Sequence, residues 1–233
     1  MREIAAWVQD ETPQLIELVL ERIRVEAPEY FGARDPGFMA VARESIVANL
    51  EAVTDGLVSG REQPSQLPSA AVEEVVLAAR QRMPWTLLDR TYRIGHSVLW
   101  EALLGEVERW ELESAERLEL LRVTSHFLFQ YIDHVTARLA EVHQTERDRQ
   151  FRGHERRRLA WVREVLAGVI DAGTEYPLER RHLAAVSWGA EPERAITDLG
   201  ARLGAAVLIV PGEGASVWGW LGASALVPEW ADV

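Results

Sequence analysis

The sequence predicts a mainly α-helical protein, in which an N-terminal helical bundle is joined by a long helix to a small, incomplete α/β domain. Apolar residues recur every three or four positions over the first two thirds of the chain. A charged stretch then interrupts this pattern, and short apolar runs with turn signals follow Gly173. We therefore expect a helical domain at 1–143, a linker helix at 144–172 and a partial α/β domain at 173–233.

Helix start and stop signals divide the first domain. We expect the first helix, Leu15 to Val25, to follow Pro13, and Asp35 with Pro36 to open a second helix that Gly60 ends. After a loop rich in proline and serine, a third helix carries Val72, Val75, Val76, Ala79 and Met83 before Pro84 stops it. The next apolar face consists of Leu88, Tyr92, Gly95, Leu99, Leu103, Val107 and Trp110.

The strongest pattern in the chain is a coiled-coil-like seam, in which spacings of three and four alternate from Leu118 to Val142. We interpret it as a homodimer seam formed by Leu121, Leu128, Ile132, Val135, Leu139 and Val142, with Ser125 as its polar position. The alternative is a helix buried within its own bundle, without a dimer.

The stretch 144–158 carries six arginines against Glu146, Asp148 and Glu155, a local balance of 6 − 3 = +3 in a chain of net charge −12. An acidic total argues against a surface that coats nucleic acid. A mixed charge run is typical of a solvated linker, with local contact to nucleic acid as the alternative.

The last part of the chain predicts three strands and one helix. HLAAVSWG is a first strand, and EPERAITDLGARLG is a helix with Pro192 near its start and Gly204 after its end. AAVLIVP predicts a strand covered on both faces, and GEGA a hairpin turn before the strand SVWGWLG. Because these elements cannot close an α/β layer, we expect Trp188, Trp218 and Trp220 to be partly exposed.

Four polar and aromatic residues, Asp89, Arg93, His96 and Trp100, share one face of a predicted helix. They form our candidate ligand-binding site, although Asp89 and Arg93 could equally satisfy each other at a spacing of i, i+4. A haem ligand needs only one histidine, so spacing alone leaves His126 and His134 as haem-ligand candidates. Histidine in an aromatic helix is more often simply packed, and we expect neither a cofactor nor a metal.

The composition bounds the class of protein. A hydrophobic fraction of 48% supports a core, and the absence of cysteine removes disulfides and thiolate chemistry. We find no apolar run long enough for a membrane span and no secretory signal. A protein of the reducing cytoplasm, without a membrane partner, fits these features.

Two stretches, ARQRMPWTLLDRTYRIGHSVLWEAL and YPLERRHLAAVSWGAEPERAITDLGARLGAAVLIVPGEGASVWGWLG, resemble the front part of PucR-type (CdaR-type) bacterial transcriptional regulators. The resemblance implies an RsbR-like helical sensor domain, for which a globin-like fold is one option, and then a degenerate GGDEF-like domain. In that family a helix-turn-helix domain comes last. None is recognisable here, so we expect a fragment or a natural truncation that reaches DNA only through a domain outside this chain.

Cyclase chemistry is not expected, because an active site of that kind needs carboxylates that hold Mg²⁺. The hairpin reads PGEGA, the preceding strand reads AVSWGAEP, and Glu213 is better explained as a turn residue than as a metal ligand. We expect no enzyme, but the sensory and dimerisation region of a transcription regulator with an unknown small-molecule or protein effector. The alternatives are an RsbR-like protein-interaction scaffold and a haem- or ligand-dependent catalyst.

Overall fold

The computed structural model describes residues 1–33, 35–60, 66–168 and 176–223. The helices are α1 (Arg2–Glu26), a short 3-10 helix (Pro28–Gly32), α2 (Phe38–Ser59), α3 (Ser69–Arg80), α4 (Trp85–Arg109), α5 (Ser114–Leu166) and α6 (Pro192–Arg202). The strands are β1 (Arg181–Trp188), β2 (Ala206–Pro211) and β3 (Ser216–Ala223). The predicted fold class, mainly helical with a small α/β part, is confirmed.

The chain divides into two compact units, Met1–Gln150 and Phe151–Val233. The division lies near the predicted domain boundary at 143, and α5 contributes residues to both units. Most of the predicted linker, 144–166, is α-helix, and Gly153 lies within it. The end of that linker, 169–172, the predicted loop residues 61–65 and the segment 224–233 lie outside the described residues.

The first helix is longer than its sequence signals suggested. The prediction that it begins after Pro13 is wrong, because α1 runs from Arg2 to Glu26 with Pro13 in its interior. An interior proline costs a helix about 3 kcal/mol or more. The turns before it are held by tertiary packing, since Ile4, Ala5 and Val8 are fully buried in the core of the first unit.

Other predicted start and stop signals lie near helix boundaries, but the prediction that α3 includes Met83 and is stopped by Pro84 is wrong, because α3 ends at Arg80. Asp35 accepts a hydrogen bond from the backbone amide of Gly37 at 2.8 Å just before α2. Gly60 ends that helix in the left-handed region, with φ of 68°, which glycine adopts without steric cost. Pro84 immediately precedes α4.

The core of the first unit lies between α1, α2, α3, α4 and the first half of α5. Helix α1 packs against α2 and α4, and α2 packs against α3. The predicted seam residues on α5 mostly enter this core: Leu128, Val135 and Leu139 are buried within the single chain, and Leu121 and Val142 are half-buried against it. Ile132 is also half-buried. This burial is what the alternative interpretation, a bundle helix, predicts. The homodimer stays a prediction.

The charged stretch begins as part of the first unit. Glu146 is only 8% exposed and pairs with Arg80 of α3, with 2.9 Å between Nε and Oε1. One turn earlier, Nε2 of the buried His143 lies 2.9 Å from the carbonyl oxygen of Met83. These two contacts fix α5 to the corner between α3 and α4. The arginines of the stretch are exposed, as a solvated helix face requires.

In the second unit, the three described strands form an antiparallel sheet in the order β1-β3-β2. Helix α6 connects β1 to β2 and packs on one face of the sheet, where Ile196 lies directly over Gly219. A Cβ atom at Gly219 would come within 2.5 Å of Ile196 Cγ2, so this glycine permits the close approach.

The prediction that β2 is covered on both faces is wrong. Of its residues only Val210 is buried, and the other five are half-buried. The tryptophans follow the prediction: Trp188 is 75% exposed, and Trp218 and Trp220 are half-buried.

No helix in the four described ranges combines the length and the apolar character that a membrane span requires.

Truncation of Leu139 tests whether the seam is part of a single-chain core. Leu139 is fully buried, so Leu139→Ala is expected to lower the free energy of unfolding by about 2–5 kcal/mol. Leu166→Ala, at a position that is 66% exposed on the same helix, is the matched control and should change it by less than about 0.5 kcal/mol. Urea denaturation measures both, and equal effects would contradict the assigned packing.

Candidate ligand-binding site in the helical unit

A buried carboxyl group lies at the centre of the first unit. Glu74 occupies the face of α3 that also carries Ala71 and Ala78, and it is only 3% exposed. Its neighbours on that face are small, so the carboxyl group reaches between the surrounding helices. Burial of a charged group is costly unless hydrogen bonds or an opposite charge compensate it.

Two tyrosine hydroxyls donate to this carboxyl group. Tyr30, from the 3-10 helix, makes a short hydrogen bond to Oε1. Tyr92, from α4, donates to Oε2 at 3.1 Å. Each carboxylate oxygen thus has one phenolic donor, and the two donors come from different elements of the fold.

Hydrogen bonds extend from Tyr92 towards α5. Ser45 Oγ lies 3.3 Å from the Tyr92 hydroxyl, and Asn49 Nδ2 donates to the Ser45 backbone carbonyl at 2.8 Å. The Tyr131 hydroxyl donates to Asn49 Oδ1 at 2.9 Å. We call this set the Glu74 network; its members are Tyr30, Ser45, Asn49, Glu74, Tyr92 and Tyr131. It joins the 3-10 helix, α2, α3, α4 and α5.

Burial dominates the electrostatics of the network. It raises the pKa of Glu74, while hydrogen bonds from Ser45, Tyr30 and Tyr92 act in the opposite direction. Burial also raises the pKa of Tyr30 and Tyr92 well above the ordinary tyrosine value, and the nearby Glu74 charge raises both further. The tyrosines are therefore hydrogen-bond donors at all physiological pH values.

Glu74 has no cationic partner among the described residues. The ion pairs found within 1–33, 35–60, 66–168 and 176–223 are formed by other carboxylates, such as those of Asp89, Glu101 and Glu146. The charge of an ionised Glu74 is thus compensated by hydroxyl dipoles alone. Over the same ranges, no cluster of three histidine or acidic side chains could hold a metal ion.

A cavity of about 90 Å³ adjoins the network. Most of its wall is apolar, and Glu74, Ser45, Asn49 and three tyrosines supply the polar side. The apolar wall comprises Val19, Ile23, Ile46, Leu50, Val53, Gly95, Leu99, Leu128 and Ile132. A largely apolar pocket with a few convergent polar groups is the usual form of a small-molecule site.

His96 also lines this cavity. Its ring packs 4.9 Å from that of Phe129 on α5, measured between centroids. Burial lowers the pKa of His96, which the negative charge of Asp133 partly offsets. The imidazole is therefore mainly neutral at pH 7 and adds no positive charge to the cavity.

Of the four candidate site residues, His96 alone lines the cavity. Asp89 and Arg93 form an ion pair with 2.8 Å between Oδ2 and Nε, which is the mutual pairing that their i, i+4 spacing allowed. Trp100 packs against the edge of the core. The structure therefore places the four residues on one helix without bringing them together around a ligand-sized space.

Sequence reasoning missed Glu74, Tyr30 and Ser45. A signal for Glu74 was present, because it falls between Ala71 and Ala78 on the buried face of α3, where an acidic residue is unexpected. Val72 and Val76 were assigned to the buried face, and Glu74 was therefore overlooked. Both valines are half-buried.

Residues 13–158 match the family model of the RsbT co-antagonist protein rsbRD N-terminal domain. The match covers more than half of the chain and includes every residue of the Glu74 network. The chain belongs to this family. No curated protein and no solved structure matches this chain.

The RsbRD N-terminal domain, as matched here, extends beyond the first compact unit. Its last matched residue, Arg158, lies in the charged part of α5. The family assignment therefore supports the RsbR-like helical sensor domain of the sequence prediction, and it includes the stretch 144–158 in that domain.

Replacement of Glu74 tests the network through its pH dependence. The folded state holds the Glu74 proton more tightly than the unfolded state, so its contribution to stability is complete below about pH 4.3 and is lost as the pH rises through the folded pKa. Glu74→Gln cannot ionise. The free energy of unfolding of the wild type, minus that of Glu74→Gln, should therefore fall as the pH rises above about 4.3.

Urea denaturation over this pH range measures the difference. Glu73→Gln is the matched control, because it removes a carboxylate from the exposed side of the same helix. A Glu74→Gln curve that runs parallel to the wild-type curve at every pH would contradict the raised pKa.

Proposed function

We propose that the helical unit is the input domain of a signalling protein: a small molecule in the cavity changes the packing of α5, and α5 transmits the change. The observation that carries this proposal is the double role of α5. Leu128, Tyr131 and Ile132 of this helix line the cavity, and the same helix continues to Leu166, past the division at Gln150. In this role the chain acts in the cytoplasm and binds its effector without catalysing a reaction.

The anchoring contacts of α5 support the relay. Arg80 pairs with Glu146, and Met83 with His143, immediately before the exposed arginines. A shift of α5 at Tyr131 must either strain these contacts or move the α3–α4 corner together with them. Coupling of this kind requires the ligand to favour one of the two arrangements.

For the output we infer a transcription regulator of the PucR type, whose DNA-binding domain lies outside this chain. The order β1-α6-β2-β3 and the residues 176–222 that resemble the PucR regulators support this inference. A protein-interaction scaffold is the second candidate, since the matched family is named for a co-antagonist of RsbT. The coding sequence after Val233 separates them: a helix-turn-helix pattern supports the regulator, and a stop codon or a scaffold domain supports the second candidate.

Filling the cavity tests the input role. A Cβ atom at Gly95 would lie 3.6 Å from Val19 Cγ1, an ordinary contact, so Gly95→Leu is expected to place its side chain in the cavity and to mimic occupancy. We expect slower amide hydrogen exchange along 151–166, because a filled cavity holds α5 in one arrangement.

Gly105→Leu is the matched control for this experiment, with Gly95→Ala as a milder variant. Gly105 lies on the same helix, and a Cβ atom there would meet no atom within 4 Å, so the gain in helix propensity is the same without cavity filling. Equal exchange rates along 151–166 in Gly95→Leu and Gly105→Leu would overturn the relay.

We also propose that the protein is a homodimer. Three of the six predicted seam residues are buried within one chain, so the face of α5 available to a second copy is the one that exposes Leu118 and Phe129, three turns apart. Light scattering at tens of micromolar should give twice the chain mass for the wild type and the chain mass for a Leu118→Asp, Phe129→Asp double variant. A wild-type monomer at that concentration would contradict the dimer.

A further inference from the structure

Glu74 is a buried acid at a cavity wall without a cationic partner in the described parts of the chain. Burial of an ion is costly, even after the protein relaxes around it. Tyr30 and Tyr92 offset part of that cost by their hydrogen bonds, but they are neutral. A positive charge placed in the cavity would therefore be stabilised more strongly than at the protein surface.

The carboxylate retains acceptor capacity for such a charge. Each oxygen has about two lone-pair sites, and the described hydroxyl donors, Tyr30 on Oε1 and Tyr92 on Oε2, leave room for further donors. A primary ammonium group brings three donors. Ser45 and Asn49 at the same side of the cavity add polar atoms that accept or donate.

The remaining wall sets the size and polarity of the rest of the ligand. A volume of about 90 Å³ exceeds the roughly 30 Å³ share of a liquid water molecule and lies below the roughly 150 Å³ apolar cavity that takes benzene. Val19, Leu50, Leu99, Leu128 and Ile132 line this space, so a short branched hydrocarbon group is the best match.

We propose that the effector of this RsbRD domain is a small protonated alkylamine, whose ammonium group pairs with Glu74 and whose branched apolar body fills the cavity. This inference rests on the proposed input function and adds the chemical class of the ligand. A carboxylate ligand of the same shape is repelled by Glu74, and an alcohol can hydrogen-bond to it but leaves its charge unpaired. The neutral His96 imidazole presents no competing positive charge.

Three probes with a common skeleton test the charge preference: isobutylamine, isobutanol and isobutyrate. Titration calorimetry on the full chain at pH 7.5 should show the tightest binding for isobutylamine, weaker binding for isobutanol and none for isobutyrate. Thermal unfolding provides a second readout, because a ligand that binds only the folded state raises Tm with concentration.

Glu74→Gln should weaken isobutylamine binding roughly 30-fold or more, because removal of one partner of a buried charge pair costs at least about 2 kcal/mol. Isobutanol binding should be nearly unchanged. If Glu74→Gln does not fold, Gly95→Leu tests the location of binding: it should abolish isobutylamine binding, whereas Gly105→Leu should retain it.

The outcomes separate the ligand class from the input function. Isobutanol or isobutyrate binding as tightly as the amine, or amine binding that survives Glu74→Gln or Gly95→Leu, overturns the alkylamine. No binding of isobutylamine at millimolar concentration overturns it as well. The input function stands or falls separately, on hydrogen exchange along 151–166 in the Gly95→Leu variant.

Discussion

The helical unit is organised around one buried carboxyl group that five elements share. Glu74 is held by hydroxyls from the 3-10 helix and α4, and through Ser45 and Asn49 the hydrogen bonds continue to α2 and α5. Apolar packing alone would allow these helices to slide by small amounts, because dispersion contacts have little directionality. Hydrogen bonds to a buried acid are directional and costly to break, so they define one register for the bundle. The fold thus contains a polar constraint inside a largely apolar core.

This constraint also explains why the same region suits a sensor. The cavity lies beside an acid that only neutral donors compensate in the described part of the chain, and the proposed effector acts through this charge. Helix α5 takes part in both the cavity wall and the network through Tyr131, and its contacts to the α3–α4 corner through His143 and Glu146 follow three to four turns later. Local electrostatics and the position of a long helix are therefore linked through few, identifiable contacts.

Residues that act locally could be interpreted from the sequence, and residues that act through tertiary contacts could not. Gly60 ends its helix as predicted, because backbone conformation decides there, whereas α3 ends at Arg80, four residues before the proline that was expected to stop it. The start of α1 was predicted wrongly from Pro13, since the packing of the turns before this proline outweighs the local free-energy cost of a proline within a helix. Glu74 was missed because valines compete with it for the apolar face of α3, and only the donors around it make its burial tolerable. The α5 seam has coiled-coil spacing, but periodicity identifies a buried face without identifying what covers it, and here the same chain covers Leu139.

The strand order of the second unit has a consequence for synthesis. Both β1 and β2 pair with β3, the last of the described strands in the chain. On the ribosome, the ladder of this sheet cannot start until residues 216–223 have emerged, whereas every element that surrounds Glu74 has emerged well before. Domains generally fold as units during translation, N-terminal first. The helical unit is thus expected to be folded, with its cavity formed, while β1 (Arg181–Trp188) has not yet paired with β3.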